Sequence, residues 1–167
     1  GNWVDPSATL REPVIFTGKP LMVTAPILSA PVSGEVSIPI GVQDTTGKGI
    51  LSYQFDLRYD PKVLEPAAVP TDIAGTISEG YNVTVNPLEP GVLRVVVFGV
   101  QPLAGEGQLI NLRFNVVGSV DSSSDLIWEN VVLNEGNVYF QTVNGRVQVT
   151  AASNNASING RVLTTTG

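Results

Sequence analysis

The chain contains no cysteine and no histidine. Disulfide staples, thiol nucleophiles and every imidazole acid, base or metal ligand are therefore excluded. The missing cysteines rule out a disulfide-built scaffold but leave the compartment open. Charge is sparse as well. Only 14% of the 167 residues are charged, and the net charge is −6. The three lysines are Lys19, Lys48 and Lys62, and the six arginines are scattered singly. Nucleic acid requires a clustered basic face, which this distribution does not supply. No apolar run approaches the ~20 residues that span a bilayer as a helix.

Against these gaps stand 43% apolar residues, 17 glycines and 12 prolines, with Val, Ile and Thr recurring throughout. Such a composition favours short strands separated by turns over helices or disorder. Period-two alternation is clear in three places. Val36, Ile38, Ile40 and Val42 share one face of Glu35–Gln43. Tyr53, Phe55, Leu57 and Tyr59 share one face of Ile50–Tyr59, with Ser52, Gln54, Asp56 and Arg58 on the other. Ile110, Leu112, Phe114 and Val116 alternate with Asn111, Arg113 and Asn115. Each predicts a strand with one face on a core and one facing water or a partner.

Further strands are expected at Leu21–Leu28, interrupted by Pro26, at Val69–Ile77, Tyr81–Asn86 and Leu126–Leu133, and at Val138–Val143 and Arg146–Thr150. Val92–Val100 is apolar on both faces, as a covered strand would be. Asn144-Gly145 reads as a hairpin turn, Val120–Asp125 as a polar loop, and Asp60-Pro61 as the cap of a short helical turn ending at Leu64. The expected fold is all-β: an antiparallel β-sandwich with jelly-roll topology and about nine strands over residues 21–150. Residues 1–20, with a short strand at Val14–Phe16, read as an entry segment. Residues 151–156 read as a linker, and Ser157–Leu163 as the first strand of a following domain.

The segment Phe55-Asp-Leu-Arg-Tyr59-Asp60-Pro61-Lys-Val63-Leu64-Glu65 resembles the cohesin family. Val36–Val42 before it, and Val92–Gly99, Gly107–Val117 and Asn144–Val149 after it, match that family's strands in order. The resemblance implies a docking module that binds a calcium-loaded dockerin on a flat sheet face containing the strand at Ile50–Tyr59. Two outward positions where cellulosomal members often carry Asn and Asp hold Ser52 and Gln54 here. The candidate partner-binding residues are thus Ser52, Gln54, Asp56 and Arg58, although Asp56 and Arg58 also read as ordinary solvated surface.

No cofactor is expected, and no catalytic residue. Asp56, Asp60, Asp72, Glu79, Asp121, Asp125 and Glu129 sit in no catalytic motif, and neither a Gly-x-Ser-x-Gly element nor a phosphate-binding glycine loop occurs. Asp121, Ser123 and Asp125 place oxygens at alternating positions, a weak calcium pattern without the central Gly and distal Glu of an EF-hand. Polysaccharide is the alternative partner, for which Trp3, Trp128, Tyr81 and Tyr139 are the available rings, although no strand carries an aromatic ladder. The expected location is extracellular or at the cell surface of a bacterium or archaeon, with a protein partner and no membrane insertion.

Overall fold

A computed structural model describes residues 19–152. The expected entry strand at Val14–Phe16, Trp3, and the linker and strand beyond residue 152 lie outside them. The described residues form two packed sheets without a helix. In chain order the strands are β1 (Leu21–Thr24), β2 (Ile27–Pro31), β3 (Glu35–Val42), β4 (Ser52–Arg58), β5 (Leu64–Asp72), β6 (Asn82–Glu89), β7 (Val92–Phe98), β8 (Gly107–Val116), β9 (Ser123–Leu133), β10 (Phe140–Val143) and β11 (Gly145–Thr150). One sheet runs β10-β1-β3-β8-β5 and the other β2-β11-β9-β4-β7-β6.

The alternation read from the sequence sets the core. Ile38, Ile40, Phe55, Leu57, Ile110, Leu112 and Phe114 are almost wholly buried between the sheets. Each such side chain removed from water contributes roughly 1.5–3 kcal/mol. Aromatic pairs pack within one layer, Phe55 of β4 on Trp128 of β9, and between the layers, Tyr59 on Phe114 of β8. The Phe55 and Trp128 rings meet edge to face at 4.9 Å, as do Tyr59 and Phe114 at 5.0 Å. Such pairs add about 0.5–1.5 kcal/mol beyond area. Tyr53 is buried too, and its hydroxyl sits 2.8 Å from Ser78 Oγ and donates to the Leu109 carbonyl at 3.2 Å.

The ends of the domain differ from expectation. Leu21–Leu28 is two strands in two sheets, because Pro26 cannot donate to a ladder and the chain changes layer there. Asn144-Gly145 likewise joins β10 in one sheet to β11 in the other, and is no hairpin. β1 pairs with β10 and β2 with β11, both in parallel, so both sheets are mixed. The two crossovers lie against each other. A Cβ on Gly145 would stand 2.2 Å from the Pro26 carbonyl oxygen. The Asn144 carboxamide accepts the Trp128 backbone N–H at 3.1 Å instead of shaping a turn.

Three boundaries also move. β9 begins at Ser123, inside the expected polar loop, because Ser123 and Ser124 pair with Gln148 and Val147 of β11. β5 occupies Leu64–Asp72, with turns from Ala74 onward where a strand was expected. Asp60–Leu64 forms hydrogen-bonded turns, not a helix: the Asp60 carbonyl accepts from Val63 and Leu64, and its carboxylate from the Lys62 N–H at 2.9 Å.

Candidate functional site

The outer face of β9-β4-β7-β6 is an open sheet surface, and the register defines its rows. Arg58 lies between Ile127 and Val92; Asp56 between Glu129 and Arg94; Gln54 between Val132 and Val96. Phe98 stands opposite both Ser52 and Asn82, and Thr84 opposite Val96. The four sequence-predicted residues Ser52, Gln54, Asp56 and Arg58 therefore line up along β4 on one face, as alternation requires.

Their environments differ sharply. Asp56 is not the solvated residue that its outward position suggested: its side chain is only 3% exposed. Arg94 grips it with two bonds, Nε to Oδ1 at 2.7 Å and Nη2 to Oδ2 at 2.9 Å. Asn130 Nδ2 donates to Oδ2 at 2.8 Å. A flat-lying arginine on one side and a bulged asparagine on the other cover the carboxylate, which outward direction alone does not reveal. The Arg94 hydrogen bonds, against the opposing effect of burial, hold the Asp56 carboxyl below the usual carboxylate range. Arg58 is exposed and forks onto Glu129 at 3.0 and 3.2 Å.

The opposite end of the face is apolar. Of the ten large apolar side chains exposed among the described residues, four lie at this end: Val132 opposite Gln54, Phe98 opposite Ser52, and Leu51 and Val100 just beyond β4 and β7. Phe98 is 49% exposed and Val132 36%. Gly99 fits between Phe98 and Val100 because Tyr81 packs flat on it; a Cβ there would meet the ring at 2.6 Å. Tyr81 also donates its hydroxyl hydrogen to the Gln101 carbonyl. Asn134, at φ 56°, closes the edge by accepting the Leu51 N–H at 2.7 Å and donating to the Gly49 carbonyl at 2.8 Å.

Val132 reaches this face through a β-bulge. Between Glu129 and Val132, two residues of β9 stand against Phe55 alone on β4. The additional residue is Asn130, in the left-handed region at φ 51°. Asn is among the few side chains that adopt it readily. The bulge lets Trp128, Val131 and Leu133 face the core and sends Val132 outward.

A family model for the cohesin domain matches residues 23–159. The chain belongs to the cohesin family. Solved structures similar to this cohesin domain include a non-cellulosomal cohesin from the archaeon Archaeoglobus fulgidus, at 18% identity and TM-score 0.65, covering 80% of this chain and 93% of that one. The seventh ScaB type I cohesin of Pseudobacteroides cellulosolvens matches at 22% identity and TM-score 0.65, with 82% and 96% covered. The sixth scaffoldin B cohesin of Acetivibrio cellulolyticus, solved in complex with a mutant Cel5 dockerin, matches at 17% and 0.62, with 78% and 99% covered. No curated protein matches.

The remaining candidates fall elsewhere. Asp121 lies in an exposed loop at φ 74°, while Ser123 and Asp125 belong to β9 and the Asp125 carboxylate accepts from Arg146 Nε at 2.9 Å. Among the described residues no group of three or more acidic side chains is gathered to hold a metal ion. Trp128 is a core residue, donating its indole N–H to the Val143 carbonyl at 2.8 Å. Reading the sequence missed Arg94, Asn130, Val96, Phe98 and Val132 as parts of the face. Two signals were there to find. Arg94 is the lone charge in an apolar strand, so it needed an outward partner. Asn130 breaks the Trp128–Leu133 alternation.

Proposed function

We propose that this cohesin domain is a non-catalytic docking module of an extracellular multidomain protein, binding a dockerin-like protein through the outer face of β9-β4-β7-β6. Ser52 and Gln54 stand at its centre. The observation that carries the reading is that Val132, opposite Gln54, and Phe98, opposite Ser52, are exposed on this face, with Leu51 and Val100 exposed at the same end. An apolar patch rimmed by polar residues marks an interaction surface. The complex of the Acetivibrio cohesin with a dockerin supports the kind of partner. Bacterial and archaeal relatives support a location outside the cell or at its surface in such an organism.

The test is binding of this chain to an arrayed panel of dockerin modules, alongside a glycan array. Binding to one or more dockerins, weakened at least ~30-fold by Gln54→Trp at the centre of the face, is the expected result. Capture on glycans with no dockerin bound would replace this reading with a carbohydrate-binding one.

A further inference from the structure

Resting on the docking reading, we propose that partner recognition on this face is apolar, and that Asp56 is a positioning residue that never touches the partner. Every charge in the centre of the face is already paired within the protein. Asp56 is held by Arg94, and Glu129 by Arg58. Two positive and two negative groups cancel locally, so the face projects little field onto a partner although the whole chain carries −6. Breaking either fork to recruit a partner's charge would strand its other half, which is costly where the carboxylate is buried.

What remains free is apolar. Val132 and Val96 flank Gln54 on either side, and Phe98 lies diagonally beyond, next to Ser52. Among the described residues neither the Gln54 carboxamide nor the Ser52 hydroxyl makes a side-chain hydrogen bond, so these are the polar groups a partner must satisfy. The complementary surface is a cluster of aliphatic side chains around uncharged hydrogen-bonding groups facing Ser52 and Gln54. A dockerin presenting acidic or basic side chains at this point would leave them desolvated and unpaired.

Asp56 acts through the bulge. Its Oδ2 accepts from Asn130, the residue that β9 accommodates in order to present Val132 outward. Removing the carboxylate frees Asn130 and loosens the phase of the strand that carries the patch.

The experiment takes the dockerins that bind from the arrayed panel and measures their affinity at 50 and 500 mM NaCl for the natural chain and for Val132→Asp, Phe98→Ala, Arg58→Glu, Asp56→Leu and Asp56→Asn. Thermal unfolding confirms that each variant is folded. The expected result is a salt effect below ~3-fold, losses of at least ~30-fold for V132D and F98A, and less than ~3-fold for R58E. Asp56→Leu loses ~10-fold and shifts the Val132 methyl resonances, while Asp56→Asn, which keeps an acceptor for Asn130, restores most of both. A salt or R58E effect above ~10-fold with V132D still binding overturns apolar recognition. Unmoved Val132 resonances and unmoved affinity in D56L overturn the positioning role. A folded chain that binds no dockerin at all overturns the docking reading itself, an outcome distinct from either.

Discussion

Replacing Gly145 with Ala tests the joint where the β1–β2 and β10–β11 connections change sheets. Gly145 needs no unusual backbone angle; it is glycine because of space. An added Cβ would lie 2.2 Å from the Pro26 carbonyl oxygen and 2.6 Å from that of Ala25, where real Cβ contacts essentially never fall below 3.0 Å. Both obstacles are backbone, so no side chain can swing away. Relief requires the β1–β2 and β10–β11 crossovers to separate. That stretches two bonds crossing the joint: Ala25 N–H to the Val143 carbonyl at 2.9 Å and Arg146 N–H to the Pro26 carbonyl at 3.0 Å. Losing two such bonds costs about 2 kcal/mol net, and overpacking adds about 1–3 kcal/mol. A total near 3–5 kcal/mol is a large part of the ~5–15 kcal/mol that holds a domain folded. Circular dichroism melting should show Tm falling by roughly 10–20 °C. Gly41→Ala is the control, since its Cβ would meet only ordinary contacts at 3.8 and 3.9 Å. If G145A melted within about 2 °C of G41A, the close approach of the crossovers, and with it the reasoning, would be wrong.

Tyr53→Phe removes the partner of Ser78 Oγ and one bond to the Leu109 carbonyl, and urea unfolding should register a loss of about 1–3 kcal/mol; an unchanged midpoint would mean water replaces the hydroxyl. Burial pushes the Tyr53 phenol above its ordinary value. Its contribution is therefore complete below the unfolded value near 10 and drains away as pH rises, by up to about 1.4 kcal/mol per pH unit. Urea midpoints that stay flat between pH 9 and 11.5 would contradict this. Asp56 titrates in the opposite sense. Its carboxyl is depressed, so its stabilisation is present above the unfolded value near 3.9 and is lost as pH falls through the lower folded value. Asp56→Ala should cost about 1–3 kcal/mol at pH 7, a difference that shrinks in acid; an equal deficit at pH 7 and pH 2.5 would refute it. Deleting Asn130 should be milder than Asn130→Val. Deletion leaves a regular ladder with Val131, Val132 and Leu133 in phase, whereas a β-branched residue at φ 51° is strained. Thermal unfolding that ranks the two the other way would argue against the bulge.

Much of the sandwich was legible because alternation is a local property. Val36 to Val42, Tyr53 to Tyr59 and Ile110 to Val116 each put every second residue in the core, and each does so in the structure. The layer changes were not legible, because they depend on partners distant in sequence. Pro26 followed by an apolar residue reads as an interrupted edge strand, and Asn144-Gly145 has the chemistry of a hairpin turn. Only when β1 and β10, and then β2 and β11, run side by side does the pair become a double crossover with glycine at the narrow point. Parallel pairing of the first two described strands with the last two leaves no periodic trace in either segment.

The face was half legible for a related reason. Outward direction follows from period two, so Ser52, Gln54, Asp56 and Arg58 were found together. Exposure does not follow from direction. Asp56 points away from the core and is nevertheless buried, because Arg94 lies across it on one side and Asn130 on the other. A residue that lies inward by alternation can also be turned outward. Asn130 would fall inward in a strict Trp128–Leu133 pattern, next to Phe55 in the core, where a carboxamide has no partner. Spending it in a bulge resolves that conflict, places its amide on the Asp56 carboxylate, and leaves Val132 exposed beside Gln54. The polar residue that breaks the strand's pattern is thus the one that assembles the apolar surface.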